Sequence, residues 1–186
     1  MTRFARSCGK ESVLSSRTTK GQPSPRRLEL VPDRGKIPAC AQQDCGHRCC
    51  QFEQGNFIAI YPGELQEAKS LGYKLEHLRL IGEDTHGGQR AVCVASNCAD
   101  CDGGYKPLDC ASYPLFPGGL DDHGSVARMI RGEKCPLQET DFAAHLDWVS
   151  SEWSRICRKR PELAHWVAAV DLVGYVPITN GVERER

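Results

Sequence analysis

Cysteine clustering is the feature of this chain that most limits how it can fold. Eleven of the 186 residues are cysteines, and most of them fall into two clusters. The first cluster lies within residues 40–50, the second lies within residues 93–110, and Cys135 follows at a distance. Thiols this close in sequence lose little loop entropy when they converge on one point. The clusters therefore indicate a metal or iron–sulfur site.

The rest of the chain limits the alternatives to metal binding. No segment reaches the ~18 apolar residues of a membrane helix, and the basic N-terminus lacks the apolar stretch of a secretory signal. We therefore expect a cytoplasmic protein with no membrane partner, whose thiols stay reduced. The odd number of cysteines also argues against complete disulfide pairing. The formal net charge of zero gives no support to a nucleic-acid partner, and the sequence identifies no protein partner.

Residues 1–36 differ in composition from the remainder of the chain. They carry nine Lys or Arg against three acidic residues and few large apolar groups, which is typical of a disordered tail. A transit peptide and a basic arm for an acidic partner are the functional alternatives. We predict that residues 37–186 form a cysteine-cluster domain. Its fold class is α+β, loop-rich, with few short strands and a C-terminal helical hairpin.

Several elements can be predicted within this domain. Residues 57–60 and 91–94 are short strand candidates, and Pro62 opens a helix that Gly72 ends. Residues 97–124 are rich in Gly, Pro and Asp and have no period. We expect a long loop there, which the cysteines within it organise.

The C-terminal quarter has the periodicity of two amphipathic helices. Thr140 or Asp141 is the expected cap of the first helix, and Pro161 opens the second. Gly174 lies near the end of the second helix. The expected inward-facing residues are Phe142, Leu146, Val149, Trp153 and Ile156 in the first helix and Leu163, Trp166, Val167 and Val170 in the second. The three Trp are expected to be core residues rather than cofactor contacts.

Nine cysteines are the candidate metal ligands. The eight expected ligands are Cys40, Cys45, Cys49, Cys50, Cys98, Cys101, Cys110 and Cys135, and Cys93 is a ninth candidate that could replace Cys98. Zinc and iron–sulfur clusters both take four thiolates, so eight fit two such sites or one larger cluster. On an extended backbone the adjacent pair Cys49 and Cys50 would point to opposite sides, which favours a twin or polynuclear centre. Cys8 and Cys157 are expected to be structural thiols.

Other polar residues near the cysteines have simpler interpretations. His47, His86 and His123 are expected to be solvated or to lie behind the ligands, because thiols are abundant. The acidic residues of this region are expected to face solvent or to hold turns; they are Asp100, Asp102, Asp109, Asp121 and Asp122. No residue can be assigned a catalytic role.

At these cysteines the chain resembles the CxxCxxCC family of zinc- or iron-chelating cysteine-cluster proteins (YkgJ-like). The family's first cluster ends in a Cys-Cys pair, as residues 40–50 do here, although their spacing is wider. Residues 101–114 are similar to the family's later segment, in which Lys106 and Ala111 stand where Arg is usual. Cys135 would complete the set, so that the resemblance covers roughly residues 38–137. Lys106, Arg48, Arg128 or Arg131 could supply the positive charge that the missing arginines would provide.

The expected function is metal binding through one or two Cys-thiolate centres, with an iron–sulfur cluster or iron slightly favoured over zinc. One alternative is an iron–sulfur redox enzyme, or an enzyme like the flagellin lysine N-methylases, in which a related cysteine-cluster domain occurs. The other alternative is a protein-interaction module whose zinc only stabilises the loops. Whether the protein is an enzyme is left open by the sequence.

Overall fold

The predicted α+β fold with a C-terminal helical hairpin is confirmed. A computed structural model describes residues 46–52, 55–98 and 100–178, apart from the side chains of Glu139 and Phe142. The α-helices are α1 (Glu64–Ser70), α2 (Leu108–Ser112), α3 (Ala143–Lys159) and α4 (Glu162–Ala169). The predicted tail at residues 1–36, together with Cys8, Cys40 and Cys45, lies outside the described residues.

Six short strands form two antiparallel sheets. The strands are β1 (Ile58–Ile60), β2 (Leu78–Glu83), β3 (Gln89–Cys93), β4 (Leu115–Leu120), β5 (Val126–Gly132) and β6 (Tyr175–Pro177). The first sheet has the order β1-β3-β2 and the second has the order β4-β5-β6. In the first sheet Ile58 pairs with Ala91 and Leu78 pairs with Cys93. This register places a cysteine at the end of the central strand.

Strand β1 is buried on both faces and separates two hydrophobic clusters. Ala59 belongs to the larger cluster, whereas Ile58 and Ile60 belong to a smaller one. This division follows from the alternation of side chains along a strand. Cys93 and Cys110 pack against the smaller cluster, so the cysteine-rich part of the chain rests on the first sheet.

The C-terminal helical hairpin supplies most of the larger cluster. Helices α3 and α4 both pack on β4, and Trp153 and Trp166 stack with ring centroids 6.3 Å apart. Phe116 of β4 completes this group at 4.9 Å from the Trp153 ring. The predicted role of these two Trp as core residues is therefore confirmed.

Two local predictions for this half of the chain are wrong. The expected loop at residues 97–124 contains α2 and β4. Neither element has a periodic pattern of apolar residues, because α2 is one short turn and β4 contains Pro117 and two glycines. The expected cap is also different, because a 3₁₀ turn precedes α3 and begins with a capping box between Gln138 and Asp141. Among the described residues, no helix is both long and apolar enough to span a membrane.

Candidate metal centre

Six of the nine candidate ligands line one cavity. The cavity has a volume of about 420 Å³, and the six are Cys49, Cys50, Cys93, Cys98, Cys101 and Cys110. The eight cysteines that the structure describes are all thiols rather than disulfides. Both cysteine clusters of the sequence therefore meet at one place in the fold.

Different elements carry these thiols to the cavity. Cys49 and Cys50 lie in a 3₁₀ turn at Arg48–Cys50, and Cys93 ends β3. Cys101 begins another 3₁₀ turn, and Cys110 lies in the middle of α2. The cavity thus lies between the first sheet, α2 and two cysteine-bearing turns.

The cysteine turns contain unusual backbone conformations. His47, Cys101 and Asp102 have φ values of 52°, 56° and 53°, which non-glycine residues rarely adopt. The exposed Asp102 carboxylate accepts hydrogen bonds from the backbone N–H groups of Ser96 and Asn97, at 2.9 and 2.7 Å. Left-handed backbone of this kind is concentrated at functional sites. Asp102 holds a turn as expected, and it does so in the loop that carries Cys98.

Cys49 and Cys50 do not point apart, and the geometric argument for twin centres is therefore wrong. That argument assumed an extended backbone, whereas the pair lies in a 3₁₀ turn and both side chains reach the same cavity. Their sulfur atoms are 3.8 Å apart. Two thiolates bound at ~2.3 Å to one tetrahedral zinc ion stand about 3.8 Å apart. The pair can therefore serve a single centre.

In each of two thiol pairs, the pKa of one cysteine is lowered and the pKa of the other is raised. The hydrogen bond between the two sulfur atoms holds the pKa of Cys49 below its ordinary value and raises the pKa of Cys50. Cys101 likewise lowers the pKa of Cys93, while its own pKa is raised. Each pair thus favours one thiolate beside one thiol, and thiolates are the form that binds metal.

Lys106 is a cation in the wall of this cavity. Its positive charge favours the thiolate forms of Cys49, Cys101 and Cys110 and opposes the increase in the pKa of Cys110 that burial causes. The guanidinium groups of Arg128 and Arg131 instead donate to backbone carbonyls, those of Gly118 and of Cys135 and Leu137 respectively. Of the four basic residues considered from the sequence, Lys106 is the one that lines the cavity.

Asp109 contradicts the expectation that the acids of this region face solvent or hold turns. It is buried, and its carboxylate accepts hydrogen bonds from Ala59 N at 2.8 Å and from the Tyr175 hydroxyl at 3.1 Å. Burial raises the pKa of Asp109 to about 6. Because Asp109 precedes Cys110 on α2, these bonds tie the helix to β1 and β6 and fix the position of the cysteine.

The remaining cysteines lie elsewhere. Cys135 does not line the cavity and packs against the larger hydrophobic cluster. Cys157 is buried within that cluster, as expected for a structural thiol. Cys40 and Cys45 lie outside the described residues. Among those that are described, no three Cys, His, Asp or Glu side chains stand close enough together to hold a metal ion as they are.

Sequence reasoning missed the polar residues that line the cavity together with the thiols. Asn56, Tyr113 and Tyr175 line the cavity, and the hydrogen-bonding atoms Asn56 Oδ1 and Tyr113 Oη are buried without a partner among the described residues. Tyr113 lies in the segment that resembles the cysteine-cluster family, so the sequence contained a signal for it. Tyr175 is brought in by β6 from near the C-terminus, and nothing in the cysteine spacing indicates it.

Comparison of the chain with family models, with curated proteins and with solved structures finds no match.

Proposed function

We propose that this chain is a metal-binding protein that holds its metal through cysteine thiolates in the cavity described above. The observation that carries the proposal is the meeting of six thiols from two separate sequence clusters at one cavity. Buried structural thiols would instead be dispersed through the core, as Cys157 is. Membership of the CxxCxxCC family is part of the same proposal.

The proposed ligands are drawn from the six cavity thiols, together with Cys40, Cys45 and Cys135. The cavity volume of about 420 Å³ greatly exceeds the roughly 30 Å³ that one water molecule takes up in the liquid. This space accommodates more than a single ion, so it fits either one or two centres.

An iron–sulfur cluster or iron is slightly favoured over zinc. Six thiols exceed the four that one structural zinc ion or one iron–sulfur cluster uses, and this surplus favours a centre with more than one metal atom. The Lys106 ammonium also supports a centre with net negative charge, because it offsets part of the charge of the thiolates. The bound metal or cluster would supply either a rigid crosslink between the loops or an electron-transfer group.

The test is the metal content of the full chain purified without oxygen, together with its ultraviolet–visible absorption spectrum. Iron with acid-labile sulfide and broad absorption at the blue end of the visible range would make this a cluster protein. Colourless protein with stoichiometric zinc would make the site a structural one. Protein that contains neither metal, and that takes up neither when supplied with them under reducing conditions, would overturn the proposal.

A further inference from the structure

Tyr113 lines the cysteine cavity and carries a buried hydroxyl group. The residue follows α2 directly, and its backbone N–H donates to Asp109 O at 2.9 Å. Its ring meets the Tyr175 ring edge-on, with centroids 6.2 Å apart. The hydroxyl oxygen is buried and has no hydrogen-bond partner among the described residues. The phenol of this cavity-lining residue therefore keeps an unused donor.

Gly132 allows the ring to occupy this position. A Cβ atom at residue 132 would lie 2.5 Å from Tyr113 Cε2 and 2.9 Å from its hydroxyl oxygen, both closer than real Cβ contacts. The Gly132 N–H also donates to the carbonyl of Pro114 at 2.7 Å, which fixes β5 against the segment after Tyr113. The ring is thus held from two sides, and its hydroxyl direction is determined by packing.

A buried hydroxyl without a partner destabilises a folded protein. Such a group in a native structure calls for an explanation, and an acceptor that arrives with a ligand is one. The acceptors that this cavity offers in quantity are sulfur atoms, since six thiols line it together with Tyr113. Burial raises the pKa of Tyr113, and the nearby Cys135 and Cys49 raise it further.

Resting on the metal-binding function proposed above, we infer that the Tyr113 hydroxyl donates a hydrogen bond to a metal-bound thiolate at this cavity. Metal binding would deprotonate the thiol and leave a sulfur that only accepts hydrogen bonds, which is the partner that the phenol lacks. Outer hydrogen bonds of this kind orient metal ligands and increase affinity. Hydrogen bonds to sulfur also set the potential of iron–sulfur clusters. Tyr113 is thus a positioning residue for the centre.

The test compares Tyr113→Phe with the wild-type chain and with Tyr105→Phe. The Tyr105 hydroxyl is the matched control, because it is buried but donates to Glu64 Oε1 at 2.9 Å and does not line the cavity. Each protein is made metal-free under reducing, oxygen-free conditions and then titrated with Co²⁺. The titration reports both the affinity and the absorption bands of the cobalt–thiolate bonds. Melting temperatures are measured before and after loading.

We expect Tyr113→Phe to leave the metal-free protein as stable as wild type or more stable, but to weaken its binding of metal. Without metal the variant melts at the same temperature as wild type or higher, because an unpaired hydroxyl has been removed. With Co²⁺ it binds about 10-fold more weakly, as the loss of an outer hydrogen bond does at other metal sites, and its thiolate-to-metal band shifts. Tyr105→Phe melts lower in both states and keeps the wild-type affinity and spectrum.

Two results would overturn the inference alone. Either wild-type Co²⁺ affinity and spectrum in Tyr113→Phe, or an equal loss of melting temperature with and without metal, would mean that the hydroxyl serves the protein itself. Failure of the wild-type chain to bind Co²⁺ would instead overturn the proposed function, and this inference with it.

Discussion

Cys49 and Cys157 are both thiols of the folded domain, but they differ in what surrounds them. Cys49 lines the cavity together with five other thiols, whereas Cys157 is 1% exposed and packs among apolar side chains. Serine keeps the size of cysteine but is a poor ligand for the metals that thiolates bind. The same substitution at the two positions therefore separates the loss of metal from the loss of packing.

We predict that Cys49→Ser loses bound metal and melts at a lower temperature, because the free energy of binding at such a site is also free energy of folding. Cys157→Ser should keep full metal content while it loses about 1–3 kcal/mol of stability, since it buries a hydroxyl in an apolar core. Metal analysis and thermal melting of both variants provide the measurement. Full metal content and an unchanged melting temperature in Cys49→Ser would refute the role assigned to this thiol.

Glu64 connects α1 to the segment that carries the second cysteine cluster. Its carboxylate accepts hydrogen bonds from the Tyr105 hydroxyl at 2.9 Å, from Leu108 N at 2.7 Å and from Tyr61 N at 3.1 Å. Burial raises the pKa of Glu64 from 4.5 to about 8, although the three donors oppose this increase. Between these two pH values the folded protein holds a proton that the unfolded chain has released.

Stability should therefore fall as pH rises from about 5 to about 8, with a slope of at most ~1.4 kcal/mol per pH unit from this group. In Glu64→Gln the side chain cannot titrate, so any cost of the amide is constant with pH. We predict that the difference in unfolding free energy, wild type minus Glu64→Gln, decreases across this range. Urea unfolding at four pH values measures it. Parallel curves for the two proteins would show that Glu64 takes up no proton on folding.

At the scale of elements, the turn between β2 and β3 is attached to α4 through Asp84. One carboxylate oxygen accepts from the backbone N–H groups of His86 and Gly88, and the other accepts from Trp166 Nε1 at 2.7 Å. The turn approaches the helix so closely that a Cβ atom at Gly88 would overlap Trp166 Nε1 and Asp84 Oδ2. The first sheet and the helical hairpin are thus joined at a position that only glycine fits.

We predict that Gly88→Ala destabilises the protein by about 1–3 kcal/mol, the usual range for overpacking. Gly82→Ala is the matched control in the same hairpin, because a Cβ there would have no neighbour within 4 Å. It should change stability by less than ~0.5 kcal/mol. Chemical unfolding, followed by Trp fluorescence, compares the two variants. Equal stabilities would mean that the turn can move away from α4 without loss.

A helix or strand was predictable from the sequence where its own apolar residues repeat with the spacing of that element. The stripe that includes Val149, Trp153 and Ile156 predicts α3 and its buried face, because a long helix repeats its contacts with the core. In contrast, β4 contains Pro117 and two glycines and forms because β5 supplies its hydrogen-bond partners. A strand of this kind depends on a neighbour, which a local pattern cannot reveal.

The candidate site was likewise predictable from the sequence only in part. Cysteine spacing predicted that the two clusters belong together, and the cavity brings six of those thiols to one place. The conformation of the Cys49–Cys50 pair was not predictable, because it depends on a turn that begins at His47 in a left-handed conformation. Tyr175 reaches the cavity through the pairing of β6 with β5, and contacts of this range have no signature in residue spacing.

At the scale of the whole molecule, the hydrophobic core and the cysteine cavity are largely separate. The larger cluster is formed mainly by β4, α3 and α4, with the stacked pair Trp153 and Trp166 at its centre. The cavity lies against the smaller cluster of Ile58, Ile60 and Ala91, and it shares Phe57 and Tyr175 with the residues that pack against the larger cluster. A zinc-finger peptide, in contrast, has almost no core besides its metal. This arrangement implies that metal supports one part of the fold more than the other.

We predict that a chelator lowers the melting temperature of the loaded protein without unfolding it at room temperature. The near-ultraviolet circular dichroism of the Trp pair should persist, because its packing does not involve the cavity. Amide hydrogen exchange should accelerate at residues 46–52 and 94–104, which carry the cysteine turns, and stay slow in α3 and α4. Adding the metal back should restore protection in the turns. Loss of the Trp signal together with the metal would show instead that the entire domain folds around its thiolate centre.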